Sequence, residues 1–220
     1  MYRKRLKLLI YKARYRLLLY ALLIVVFGDL LIPNQNAEYV SYLGPIGLLC
    51  IVFAGWNLVH RNKRKNIIYA TLLIILTISE IVDTFSPIEE LTIIKQVVYV
   101  AFFVTFSLEL FHQIKSANKV TSSILTAVLC GLIIIGIAGG IGATTIEYLR
   151  PGSFVGLNES TKIIDLQYYS FITLTTVGYG DITPITVYAK KFTILITLVG
   201  NFYSIVIIGI IIGKYTSSGK

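Results

Sequence analysis

Charge is scarce in this chain of 220 residues: only 14% are Asp, Glu, Lys or Arg, and just 11 are acidic. Soluble domains carry about 25% charged residues, so an ordinary water-soluble fold is excluded. Cysteine is nearly absent. Cys50 and Cys130 each lie inside an apolar run with no ligand-type neighbour. That excludes a disulfide framework and a cysteine-based metal centre, and leaves two free thiols expected to be buried. Histidine occurs only at His60 and His112. No Ser/His/Asp-like set, metal-ligand cluster or phosphate-binding loop is visible, so no enzyme is expected. What abounds is hydrocarbon: 55% of the chain is hydrophobic and its mean hydropathy is +0.77. A membrane protein is the class these values describe.

The net charge of +9 raises the question of nucleic acid. Its placement answers otherwise. Seven basic residues precede position 17, and four more lie in Arg61–Lys65, each cluster flanking an apolar run. Positive charge gathers on the cytoplasmic side of membrane spans. Six stretches are long enough for the ~20 residues a spanning helix needs: Ala13–Ile32, Tyr39–Val59, Ile67–Phe85, Leu91–Leu110, Val120–Glu147 and Tyr188–Gly213. Connections without Lys or Arg, at Pro33–Glu38 and Ser86–Glu90, alternate with basic ones at His60–Lys65 and His112–Lys119. Span count and charge together put both termini in the cytoplasm of a multi-pass cell-membrane protein. The first apolar run continues through Ile32 with no small-residue cleavage site, so it is expected as a retained span.

The connection Tyr148–Val187 is the long one. It holds an outer loop (Arg150–Thr161), a short amphipathic stretch (Ile163–Leu174), and then Thr175-Thr-Val-Gly-Tyr-Gly-Asp181. Ile163–Leu174 is too short to span. It is expected to enter from outside as a helix and return as extended backbone, which is allowed at membrane depth only when buried in protein or lining a cavity. A dry ion passage needs a row of backbone carbonyls in place of the ion's water. Pointing them one way requires the backbone to alternate between ordinary and left-handed conformations. Gly178 and Gly180 take positive φ at little steric cost, leaving Val177 and Tyr179 to face outward and hold the loop. One loop supplies one wall, so a ring of identical subunits is implied.

Thr176-Val-Gly-Tyr-Gly180 is the filter run of potassium channels. From about Val120 onward the chain resembles the pore domain of tetrameric potassium channels: outer helix, pore helix, filter, inner helix. With four earlier spans, the layout is similar to the six-span, voltage-gated-like branch. The resemblance implies an all-α integral membrane fold: a homotetramer with six transmembrane helices, a re-entrant pore helix and a filter loop per subunit. Residues 1–16 then form a basic interfacial N-terminus, 17–115 a four-helix sensor-like domain, and 116–220 the pore domain. Potassium, the permeant ion and the only cofactor implied, would bind carbonyls of Thr176, Val177, Gly178 and Tyr179 in a filter completed by Gly180, with the Thr176 hydroxyl at the inner end. Thr175, Asp181, Tyr168 and Tyr169 would support the filter. Tyr168 and Tyr169 stand where the family has an aromatic pair, and Tyr168 can donate to Asp181. Ile172 stands where some bacterial members have a glutamate. Gly200 occupies a hinge position without a Pro-x-Pro bend after it, and Asn201 faces either the cavity below the filter or a neighbouring helix.

Voltage gating is another matter. A charge moved through the field yields ~2.3 kcal/mol per 100 mV, so steep gating needs several. Leu91–Leu110 carries Lys95 alone, with Glu109 near its inner end, and Asp83 or Glu80 is the expected partner of Lys95. Only Lys214–Lys220 follow Gly213, so gating by a cytoplasmic ligand domain is not expected. Gly136/Gly140 and Gly209/Gly213 are spaced for close packing between outer and inner helices, with a hinge as the alternative for the second pair. Tyr2–Arg16 suits the inner membrane surface and anionic lipid, or simple topological anchoring. Asn158-Glu-Ser160 is a glycosylation sequon, and His60 and His112 sit where they would titrate near neutral pH. Asp165 and Glu147 are candidate partners for Lys190 and Lys191. The expected function is passive, potassium-selective conduction without steep voltage gating. A weakly selective cation channel, a transporter subunit, and a membrane sensor or assembly module with secondary conduction are the alternatives.

Overall fold

The structure is a computed structural model that describes residues 2–31, 47, 50–51, 63–85 and 89–217. Helices dominate, as a chain immersed in hydrocarbon requires, since a helix satisfies its own backbone hydrogen bonds. Helix α1 spans Tyr2–Phe27 and gives way to a 3-10 turn at Gly28–Leu31; α2 spans Lys63–Phe85, α3 Glu89–Ser116, α4 Ser122–Leu149, α5 Lys162–Leu174 and α6 Val187–Ser217. Two short strands, β1 (Phe154–Val155) and β2 (Thr183–Pro184), pair antiparallel with Phe154 opposite Pro184. Among the described residues, three helical stretches are long and apolar enough to cross a membrane: Ile94–Ser116, Ser122–Leu149 and Val187–Thr216. They coincide with the last three expected spans. The expected span Ile67–Phe85 is helical, with a shorter apolar stretch at Ile67–Ser79. Most of Tyr39–Val59 lies outside the described residues.

The chain divides into two compact units. The first comprises Met1–Ser86 with Thr121–Cys130. In α1, Tyr15, Leu18 and Leu22 are buried, a helical spacing that puts them on one face. The buried Cys130 thiol meets the Tyr15 carbonyl at 3.5 Å. Cys50, expected to be buried, is exposed. In a membrane protein an apolar run also faces lipid, so an apolar context does not imply burial inside the protein.

The second unit comprises Pro87–Val120 with Gly131–Lys220. Helix α3 buries Tyr99, Phe102, Phe103 and Phe106. Phe102 stacks on Phe106 at 5.7 Å and meets Phe103 edge-on at 5.4 Å. The side chains of Glu80 and Asp83, expected partners of Lys95, lie outside the described residues. Helix α6 is apolar nearly all round, yet only a narrow seam through Ala189, Ile196, Gly200 and Ile207 is buried in its own protomer.

The glycine spacing works differently from expectation. Side chains at Gly136 and Gly140 would collide with Phe171 and Gln167, so this pair seats the short helix α5 rather than the inner helix. Contacts between α4 and α6 fall instead at Gly131 and Gly142, against Tyr203 and Phe192. Gly209 and Gly213 face open space. A glycine pair marks a close approach; which helix approaches depends on the rotation of α4 about its axis.

Candidate functional site

Helix α5 is held both by polar groups and by packing, with Leu166 and Tyr169 in a buried apolar cluster. Ser170, fully buried, donates to the Gly136 carbonyl at 2.8 Å, and the Gln167 amide donates to the same oxygen at 3.1 Å. At its outer end Asp165 accepts from the Asn158 N–H at 2.8 Å and the Thr161 hydroxyl at 3.1 Å, placing a negative charge in the first turn, where the helix dipole favours it. Asn158 of the sequon is exposed, and its side-chain oxygen accepts from Ser160. Beside it Lys162 and Glu159 pair at 2.8 Å, which holds the Lys162 amine above its ordinary range.

At the inner end the Thr175 N–H closes on the Phe171 carbonyl at 3.0 Å, and the Thr175 hydroxyl bonds the same oxygen at 2.7 Å. The chain then reverses. The Ile172 carbonyl receives both the Val177 N–H, at 2.8 Å, and the Gly178 N–H, at 3.2 Å. Positive φ occurs at Thr176 (62°), Gly178 (55°) and Gly180 (81°), and not at Val177 or Tyr179. Left-handed geometry therefore recurs at every second residue. Glycine signals it at two of the three positions. At Thr176 nothing in the side chain does, since a β-branched residue disfavours that region.

Each residue of this loop is exposed in the protomer, Val177 at 51% and Tyr179 at 73%. The residues expected to support it form bonds of their own. The Tyr168 hydroxyl donates to Asp181 at 2.8 Å. Tyr169 is buried, shares a hydrogen bond with the Thr193 hydroxyl, and meets the Phe154 ring edge-on at 5.1 Å. A cavity of about 280 Å³ behind the loop is lined by Tyr169, Ile172, Thr173, Thr176, Thr193 and Thr197, among others. Gly200 lies against the Leu174 carbonyl and side chain, so α6 touches the base of α5 there. Asn201, next in the chain, is exposed, and its side chain forms no hydrogen bond among the described residues.

Glu147 and Asp165 do not serve Lys190 or Lys191. Glu147 is 5% exposed and accepts from three loop N–H groups, while Asp165 accepts from the Asn158 N–H and the Thr161 hydroxyl. Unpaired backbone donors in an outer loop compete for a carboxylate, and here they win it. The outer loop's two-residue ladder with Thr183–Pro184 was not foreseen; it is too short to leave a period in the sequence. The Lys214 amine near the end of α6 donates to the Ile114 and Lys115 carbonyls, both at 2.7 Å, and so caps the C-terminus of α3.

Residues 124–217, which hold two apolar helices, the short helix between them and the left-handed-alternating loop, match the family described as "Ion channel". The curated relatives are potassium channels. Two-pore potassium channel 3 of Arabidopsis thaliana is 30% identical over 105 residues, covering 47% of this chain and 23% of the relative. Two pore potassium channel c of Oryza sativa subsp. japonica is 41% identical over 63 residues, covering 28% of this chain and 14% of the relative. Two-pore potassium channel 2 of Arabidopsis thaliana is 36% identical over 67 residues, covering 30% and 15%. The chain thus spans less than a quarter of the length of these relatives. No solved structure matches it. The family match and the potassium-channel relatives point the same way, and the three apolar helices are long enough to cross a membrane.

Proposed function

We propose that this chain is the subunit of a homotetrameric, potassium-selective channel that conducts passively down the electrochemical gradient. The observation that carries this reading is the left-handed geometry at Thr176, Gly178 and Gly180. Backbone alternating in this way turns successive carbonyls to one side, the requirement for replacing an ion's water shell. Four copies put the carbonyls of Thr176, Val177, Gly178 and Tyr179 around one axis, with Gly180 at the outer mouth and the Thr176 hydroxyl at the innermost site. Val177 and Tyr179, exposed in the protomer, are then covered by neighbouring subunits. The C-terminal, partly negative end of α5 precedes the loop directly and favours a cation.

Six spans with cytoplasmic termini complete this reading, and the basic helical segment Tyr2–Arg16 lies at the inner leaflet, where anionic lipid attracts it. Conduction is only weakly voltage-dependent, because α3 carries aromatic residues where a sensor needs cations. The test is a flux assay. Liposomes holding the purified protein and potassium chloride, diluted into sodium chloride, develop an inside-negative potential read by a voltage-sensitive dye. Vesicles that stay at zero potential while leaking both ions would overturn selectivity.

A further inference from the structure

We infer that α1 and α3 pack on the pore helices of their own subunit, not on a neighbour's, and that a second copy of this chain is met through the filter loop and the exposed face of α6. The inference rests on the proposed tetramer, since neighbours exist only if copies assemble.

Each compact unit carries its own observation. In the first, Tyr15, Leu18 and Leu22 are buried on one face of α1, while Ile124, Ala127 and Cys130 are buried at a spacing of three on the first turns of α4. Small residues let helices approach closely, and the Cys130 thiol reaches the Tyr15 carbonyl at 3.5 Å. In the second unit, the last turn of α3 ends on the Lys214 amine, which meets the Ile114 and Lys115 carbonyls at 2.7 Å each. The last carbonyls of a helix have no partner within it, and a cation is favoured there. Here the cation comes from α6 of the same chain.

The division of buried and exposed surface agrees. On α3 the aromatic face, Tyr99, Phe102, Phe103 and Phe106, is already covered within one chain, and Ile94, Val97, Val104 and Leu108 are exposed aliphatic residues of the kind lipid covers. Lipid tails are as apolar as leucine, so such a face needs no protein partner. The filter loop does need one, because irregular backbone at membrane depth must be buried in protein or line a cavity. Tyr179 of that loop is exposed, as are Leu198, Phe202 and Ile205 of α6. The unmet demand for a second copy therefore lies on the loop and α6, not on α3.

The connection from α3 to α4 sets a limit. Only residues 117–121 separate Ser116 from Ser122. Fully extended they span about 20 Å, roughly the width of two helices, and the chain begins instead with a turn in which the Ala117 N–H bonds the Ile114 carbonyl at 3.4 Å. Helix connections this short join antiparallel neighbours. That leaves little chain to carry α3 past its own pore helices to the next subunit.

Cross-linking tests this. In a Cys50→Ser, Cys130→Ala background, Lys115→Cys and Lys214→Cys are placed together in one chain, or singly in two co-expressed chains that carry different affinity tags. The assembled protein in detergent is treated with a bismaleimide long enough to replace the lysine side chain. The double variant is expected to stay in the monomer band of a denaturing gel, with its two cysteine peptides joined by mass spectrometry, and the co-expressed pair is expected to give no covalent dimer. A covalent dimer from the pair, a ladder of larger bands from the double variant, or no joined product in either overturns the inference. If these variants do not fold, the wild-type protein and an amine-reactive cross-linker decide: Lys115–Lys214 peptides are expected from the monomer band, and their recovery from the dimer band alone, or from neither, overturns the inference. Tags that fail to co-purify would overturn the proposed tetramer, while the joined peptides still decide whether α3 and α6 of one chain meet.

Discussion

Thr176 holds a left-handed backbone, φ 62°, that its branched side chain disfavours. Strain of this kind costs of order 1–3 kcal/mol and persists only where the surroundings over-determine it. Here the Thr176 N–H bonds the Thr173 carbonyl at 3.1 Å, and the next two N–H groups converge on Ile172. Glycine relieves the same demand at Gly178 (φ 55°) and Gly180 (φ 81°), both free of Cβ collisions in the protomer. Gly178→Ala therefore tests backbone geometry rather than space. It costs about 1–2 kcal/mol in the left-handed conformation, and the expected outcome is lost potassium preference in a reversal-potential measurement. Tyr168→Phe removes the hydroxyl bond to Asp181. Its expected outcome is a conducting channel whose current decays faster during long openings, read by single-channel recording. The two glycines and the Tyr168–Asp181 pair were legible in the sequence, the first from steric freedom and the second from resemblance. The left-handed Thr176 and the three-pronged role of Glu147 were not. A threonine carries no mark of its φ, and a glutamate near a helix end reads as solvated until the loop above it is placed.

At the scale of elements, the helices were the easiest to read. Apolar length reveals α3, α4 and α6, and the short amphipathic Ile163–Leu174 agrees closely with α5, Lys162–Leu174. The helices extend beyond the apolar cores, as at α3, Glu89–Ser116, because polar residues at a membrane surface continue a helix without a hydropathy signal. Which faces meet was not legible, as the reassigned glycine pairs demonstrate. Gly200 makes the point testable, since any Cβ there would strike the Leu174 carbonyl. Gly200→Ala should gain up to about 1 kcal/mol in helix propensity, yet the expected net result is a lower thermal unfolding temperature, because α6 must leave the base of α5. A raised unfolding temperature would mean that α6 does not seat there. Lys214 ties α6 to the last turn of α3 through two carbonyls. Lys214→Met removes this cap, worth about 1 kcal/mol, and hydrogen exchange in residues 111–116 is expected to quicken.

The whole molecule is defined by what one protomer leaves uncovered. Tyr179 is 73% exposed, Val177 51% and Phe202 64%. In the proposed channel a single filter wall encloses no ion, and the apolar circumference of α6 exceeds the seam that packs at home. Assembly into a closed ring answers both needs. Light scattering of the protein in detergent is expected to give four copies of the 24.5 kDa chain, and a monomeric mass would contradict the ring. The buried aromatic face of α3 in place of a cation ladder gives the expectation of open probability nearly flat in voltage. The central claim, selective potassium permeation through the Thr176–Gly180 loop, is tested most directly by the reversal potential of the purified channel in a planar bilayer, with potassium on one side and sodium on the other. A reversal close to the potassium equilibrium potential is the predicted result; a reversal near zero contradicts it.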